Sequence, residues 1–147
     1  MIQLVIGQDK EVAHWVQQQY PQIASFDPCT ALGVADGNKL IAGIVYYNYH
    51  GHMLDVSIAA IDPRWCNRRI LRAFFSYPFK QLGVRRVQIT VPKRDKRNRR
   101  NLERFGFKFE GKRRAVIPDG SDAIEYSMLR HEAERWLTKE AHDESRK

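Results

Sequence analysis

The sequence predicts an α+β fold (mixed α/β), with a central mixed sheet of about six or seven strands flanked by about four helices. Three observations predict it. Strand-like alternation and helix-like apolar stripes take turns along the chain. The second to fourth strand segments are joined by short turns, which makes an antiparallel meander. The fifth follows a long helical segment, as a crossover to a parallel neighbour requires. Pro and Gly are scattered rather than clustered, so residues 1–147 read as a single domain.

Each element has its own signal. Met1–Ile6 is a short apolar strand. Gln8–Tyr20 carries Val12, Trp15 and Val16 at helical spacing, and Pro21 stops it. Thr30–Ala35 and Leu40–Tyr49 are strands around the turn Asp36-Gly37-Asn38. Met53–Ile61 follows the turn His50-Gly51-His52 and ends at Asp62-Pro63. Asn67–Leu82 sets Ile70, Leu71, Phe74, Phe75 and Phe79 on one stripe, with Pro78 predicting a kink or break. Gly83 closes that helix, and Val84–Val91 alternates as a strand. Asp95–Phe105 is a basic helix anchored by Leu102 and Phe105 and capped by Gly106. Phe107–Ile117 and Ala123–Leu129 form a hairpin over the Asp119-Gly120 turn. Glu132–Ala141 is a final helix, after which the end of the chain is expected to fray.

Composition narrows the function classes. With 43% hydrophobic residues the chain can bury a core. No apolar run approaches the roughly 20 residues of a membrane span, so no membrane role is expected. The start, MIQLVIGQDKE, lacks a basic n-region and an apolar h-region, which points to the cytoplasm. Cys29 and Cys66 read as small buried hydrophobes rather than a disulfide. No Cys/His cluster has zinc spacing, so no metal is expected. The net charge of +8 is strongly segregated: residues 64–114 hold 18 basic and 3 acidic residues, and the remainder 7 and 14. Such a tract suits a polyanionic partner; the plainer reading is a solvated surface.

The element order and several segments resemble the Gcn5-related N-acetyltransferase (GNAT) family. Phe105-Gly106-Phe107-Lys108-Phe109-Glu110-Gly111 is similar to the family's lGFxxEG segment. Glu125-Tyr126-Ser127-Met128-Leu129-Arg130 resembles the ending of the branch related to ribosomal-protein N-terminal acetyltransferases, an ending shared by short phage-encoded members. Leu82-Gly83-Val84-Arg85-Arg86-Val87 is similar to the stretch leading into the fifth strand. The likeness covers about residues 38–137; the first 37 match in outline only.

The resemblance implies acetyl-CoA as cofactor. Its pantetheine arm would pair with the backbone of Ile58, Ala59 and Ala60, between a fourth and a fifth strand that splay apart. Its pyrophosphate would lie on the amides opening the next helix, Cys66, Asn67, Arg68, Arg69, Ile70 and Leu71. The family's Gln/Arg-x-x-Gly-x-Gly/Ala signature falls on Cys66, Arg69 and Leu71, and all three depart from it. Arg64, Arg68 and Arg69 are candidate compensating phosphate donors; for Arg68, Arg69 and Arg72 the alternative is a solvated helix face. The Tyr that many members carry four residues before the lGF glycine is Leu102 here. Asn98 is left to hydrogen-bond pantetheine. Asp55 becomes the candidate base and Tyr126 the candidate acid. Read structurally, Asp55 is a polar residue on an open strand face and Tyr126 a packed aromatic. His50 and His52 either line the acceptor mouth or are ordinary loop residues. Trp15, Trp65 and Trp136 are core or partner-packing anchors.

Two functional readings follow. One is acetyl-CoA-dependent N-acetyl transfer to a primary amine, with CoA, an amine-bearing acceptor and a second copy of the chain (a homodimer) as partners. The other is a catalytically degenerate GNAT-fold binding protein. Its basic face at Lys93–Arg100, which carries six cations and one anion, would hold an acidic protein or nucleic acid.

Overall fold

The structure, a computed structural model, describes residues 1–20 and 25–138. Its elements are β1 (Ile2–Ile6), α1 (Asp9–Gln19), β2 (Cys29–Asp36), β3 (Lys39–Tyr47), β4 (Met53–Ala60), α2 (Arg68–Ser76), β5 (Arg86–Pro92), α3 (Lys96–Phe105), β6 (Lys108–Arg113), β7 (Ala123–Leu129) and α4 (Glu134–Leu137). The expected α+β architecture is present, with a seven-stranded mixed sheet in the order β1-β2-β3-β4-β5-β7-β6. Only β4 and β5 run parallel; every other neighbouring pair is antiparallel. Pro21 and the C-terminal stretch expected to fray lie outside the described residues.

The sheet is covered unevenly. α2, α3 and α4 pack on one face around Phe74, Phe75, Leu102, Phe105 and Leu137. α1, joined by Phe26, covers part of the other, laying Val12, Ala13 and Val16 on Ala31, Val45 and Ala59. Gly43 lets α1 approach: a Cβ there would stand 2.5 Å from Val16 Cγ2. α1 reaches β2, β3 and β4. The opposite half of that face carries Gln88, Thr90, Glu110, Glu125 and Ser127, bridged by polar bonds such as Arg86 to Glu110 and Ser127 to Glu110.

Local chemistry sets the helix ends. Asn67 Oδ1 accepts from Ile70 N at 2.9 Å and starts α2. At Pro78, which has no N–H to donate, α2 gives way to a wide π turn over Tyr77–Gln81, where Leu82 N bonds Tyr77 O. Asp95 caps α3 by accepting from Asn98 N, and Gly106, at φ +111°, ends it. β6 is shorter than the alternation predicts. Ala115 turns the chain at φ +55°, with its amide held by Asp122 Oδ1 at 2.8 Å. Four residues in a 3-10 turn, Arg130–Ala133, precede α4 and replace the first turn of the expected last helix. Among the described residues no helix is long and apolar enough to cross a membrane.

Candidate active site

The site begins where a hydrogen-bond ladder stops. β4 and β5 pair at four positions, from Met53 with Arg86 to Val56 with Ile89. Beyond them β4 stays on β3, with Ile58 opposite Ile44 and Ala60 opposite Ala42, while β5 stays on β7. A slot opens between the two strands, edged on the β4 side by Ser57, Ile58, Ala59 and Ala60.

Tyr20, at the end of α1, spans this slot. Its hydroxyl donates to Ile58 O at 2.8 Å and accepts from Asn98 Nδ2 at 2.9 Å. Asn98 Nδ2 also donates to Asp95 Oδ2 at 2.8 Å. One chain of bonds thus ties α3 to the carbonyl of β4. Burial, with Asp95's charge adding, pushes the Tyr20 phenol up to about 12. A cavity of about 170 Å³ lies against it, lined on the strand side by Tyr47, Ser57, Thr90 and Pro92, with Ile117 at its mouth. Tyr47 Oη lies 3.4 Å from Ser57 Oγ, and burial raises its phenol. Among the described residues no carboxylate and no cation lines this cavity.

A second, more polar cavity of about 260 Å³ sits between the start of α2 and α3. It is lined by Ala60, Cys66, Arg97, Asn98, Asn101 and Arg104, together with Asp62. Asp62 holds its proton only below about 2, because Arg64 bonds its carboxylate through both side chain and backbone. Burial raises the Cys66 thiol, and Arg104 opposes the rise.

The phosphate donors expected from sequence are placed elsewhere. Arg64 is held by Asp62 and by Asp36, each at 2.8 Å. Arg69 donates to Ile2 O at 3.2 Å on β1, and Arg68 lies over the Trp136 ring at 5.9 Å. Ile70 and Leu71 turn their side chains into the core, and their amides already bond Asn67. The cations facing this cavity are Arg97 and Arg104 of α3; Arg97 belongs to the run that the sequence assigns to a partner surface. The signal for both is the basic character of the helix; what hides their role is the absence of any local cue to which side of α3 faces α2.

Of the remaining candidates, Ile58, Ala59, Ala60, Cys66 and Asn98 come together along the slot and the second cavity. Asp55 lies on the same face of β4 as Ser57, one pleat earlier, and accepts from Asn48 Nδ2 at 2.8 Å. Tyr126 is fully buried on β7. Its hydroxyl donates to Glu103 Oε2 at 2.8 Å and accepts from Arg99 Nε at 3.2 Å, so it pins α3 to the sheet. His50 and His52 sit in the β3–β4 turn, at the opposite end of β4 from the slot. Both cysteines are free and half-buried, Trp65 is buried in the core, and no metal-binding cluster occurs among the described residues.

No protein family model and no curated protein matches the chain. Solved structures do. Variant forms of the spermidine/spermine N-acetyltransferase of Vibrio cholerae share 14% identity at a TM-score of 0.72, covering 92% of this chain and 98% of theirs. The ribosomal-protein-S5-alanine acetyltransferase of Vibrio fischeri shares 16% at 0.65, over 88% and 93%. A GCN5-related N-acetyltransferase of Brucella melitensis shares 20% at 0.66, over 92% and 79%. With its seven-stranded order, its single parallel pair and the slot beside it, the chain has the fold of the Gcn5-related N-acetyltransferases.

Proposed function

We propose that the protein transfers an acetyl group from acetyl-CoA to a primary amine. The observation that carries this reading is the slot between β4 and β5, with the carbonyl of Ile58 facing into it, a hydroxyl-lined cavity on one side and the Arg97–Arg104 cavity on the other. The residues fit the cofactor's chemistry. A strand edge without a partner strand offers backbone groups to an amide-bearing arm, and two guanidiniums offer charge-assisted bonds to a pyrophosphate. Bound acetyl-CoA supplies an acetyl group already activated as a thioester, so the chain's task is mainly positioning. Ser57 and Thr90 present hydroxyls that can orient an uncharged amine in a cavity without countercharge. Asp55, one pleat from Ser57, is the proposed base, taking the amine's proton through water. The two free thiols suit a reducing compartment, so the cytoplasm is the proposed location.

A second reading rests on α3. Lys93, Lys96, Arg97 and Arg100 are exposed and make no ion pair among the described residues. Arg94, in contrast, pairs with Asp119 at 2.8 Å, and Arg99 is spent on Tyr126 and Lys93 O. The face left for an acidic protein or nucleic acid is therefore four of the six cations in the run that the sequence suggests.

Calorimetry separates the two. On the first reading, CoA gives a measurable heat, and Arg97→Glu with Arg104→Glu weakens binding by about 1.5–3 kcal/mol for each charge-assisted hydrogen bond removed. On the second, millimolar CoA gives none, while a sulfated polyanion binds with an affinity that falls steeply as salt is added.

A further inference from the structure

The acid position of the fold is empty of acids. Leu102, where α3 would carry a tyrosine, is buried in the core, and the Tyr126 hydroxyl is shared between Glu103 and Arg99. Two phenols line the cavity between the parted strands: Tyr47 stands against Ser57, while Tyr20, from the end of α1, bonds the Ile58 carbonyl itself. We propose that Tyr20 is the proton donor to the departing thiolate, its hydroxyl resting in the free protein on the carbonyl that the cofactor's arm takes over. This deepens the acetyl-transfer reading and rests on it.

Hydrogen-bond accounting supports the assignment. The phenol has one proton, and in the free protein that proton is on Ile58 O. An amide N–H arriving at Ile58 O releases it. Asn98 Nδ2 still donates to the phenol oxygen, so the ring stays in the slot with its proton redirected.

The step balances. The amine nitrogen forms the N–C bond to the acetyl carbon, and the C–S bond breaks with its electron pair leaving on sulfur. Sulfur takes the Tyr20 proton. The nitrogen's surplus proton leaves through water beside Ser57, and the Tyr20 phenolate recovers a proton from solvent. The products are the amide and free CoA thiol.

The test is Tyr20→Phe against the wild type, with three readouts. CoA affinity is measured by calorimetry. Tyrosine absorption is followed by difference spectroscopy on adding CoA. Thiol release from acetyl-CoA is measured with spermidine, with an alanine-initiated peptide and with water alone as acceptors. The expected results are CoA affinity equal or a few-fold tighter in the variant, a tyrosine difference signal present only in the wild type, and thiol release lowered by about 10²-fold. Thiol release within twofold of wild type overturns the proposal. So does a wild type that binds CoA with no tyrosine signal. Affinity and thiol release falling together reduce Tyr20 to a structural role. A wild type that gives no heat with CoA overturns the acetyl-transfer reading itself, which the variant's behaviour cannot do.

Discussion

The two ends of β4 contrast. From Met53 to Val56 the strand is bonded to β5, from Asp55 onward to β3 as well, and Leu54 and Val56 are each 1% exposed. From Ser57 to Ala60 it keeps β3 but loses β5, and a side chain from the end of α1 takes the Ile58 carbonyl instead. Both halves are mostly apolar, Met-Leu-Asp-Val against Ser-Ile-Ala-Ala. What differs is whether a ladder satisfies the backbone, and an unpaired edge in the interior must find another partner. The paired end builds the molecule; the parted end is where a ligand can add to it.

The sharpest way to break this contrast is at the paired end. Leu54→Ala removes a fully buried side chain from the core under α2. It is expected to cost about 2–5 kcal/mol of stability, read as a lower denaturant midpoint. Measured well below its melting point, the variant is expected to keep the wild-type affinity for CoA. A loss of affinity equal to the loss of stability would show that the two ends are not separable.

Asp55→Asn probes the border between the ends. Asp55 stands in the last paired stretch, opposite Tyr47 and Gln88, with its carboxylate held by Asn48. Because its partner is exposed, stability is expected to change little, while turnover should fall roughly 10²-fold and rise with pH as the acceptor amine deprotonates. An unchanged rate would remove Asp55 from the reaction and leave water as the proton path.

The same contrast explains what the sequence can and cannot say. β7 is legible to the residue, and β1–β5 to within about two, because alternation and turn residues are local signals. The slot is expected only through family resemblance. No local pattern at Ser57–Ala60 marks where β5 departs, since that is decided by how β5 lies on β7. Arg64 reads as a phosphate donor because its neighbours in sequence are basic. Its partner Asp36 is 28 residues away, across the β2–β3 turn. Tyr20 reads as no more than the last residue of a helix, and its two partners come from β4 and α3. Such long-range bonds are invisible to periodicity.

The smallest expected effect lies on the open polar face behind the paired end. Arg86 opens β5 opposite Met53 and holds Glu110 of β6 with both terminal nitrogens, at 2.5 and 2.6 Å. Ser127 Oγ donates to the same carboxylate at 2.7 Å. The Arg86 bond first, then Ser127, lower the Glu110 carboxyl from its ordinary range to about 2. A carboxyl depressed by folding stabilises the native state above its unfolded pKa, near 4.5, and loses that contribution as pH falls towards 2. Glu110 is 39% exposed, so solvent screening limits the contribution to about 1 kcal/mol. Glu110→Gln should lower the melting temperature by a few degrees at pH 7 and hardly at all at pH 2.5. A deficit that persists undiminished at pH 2.5 would mean that packing against β7, rather than charge, makes Glu110 matter. The stitch across β5, β7 and β6 would then not be electrostatic.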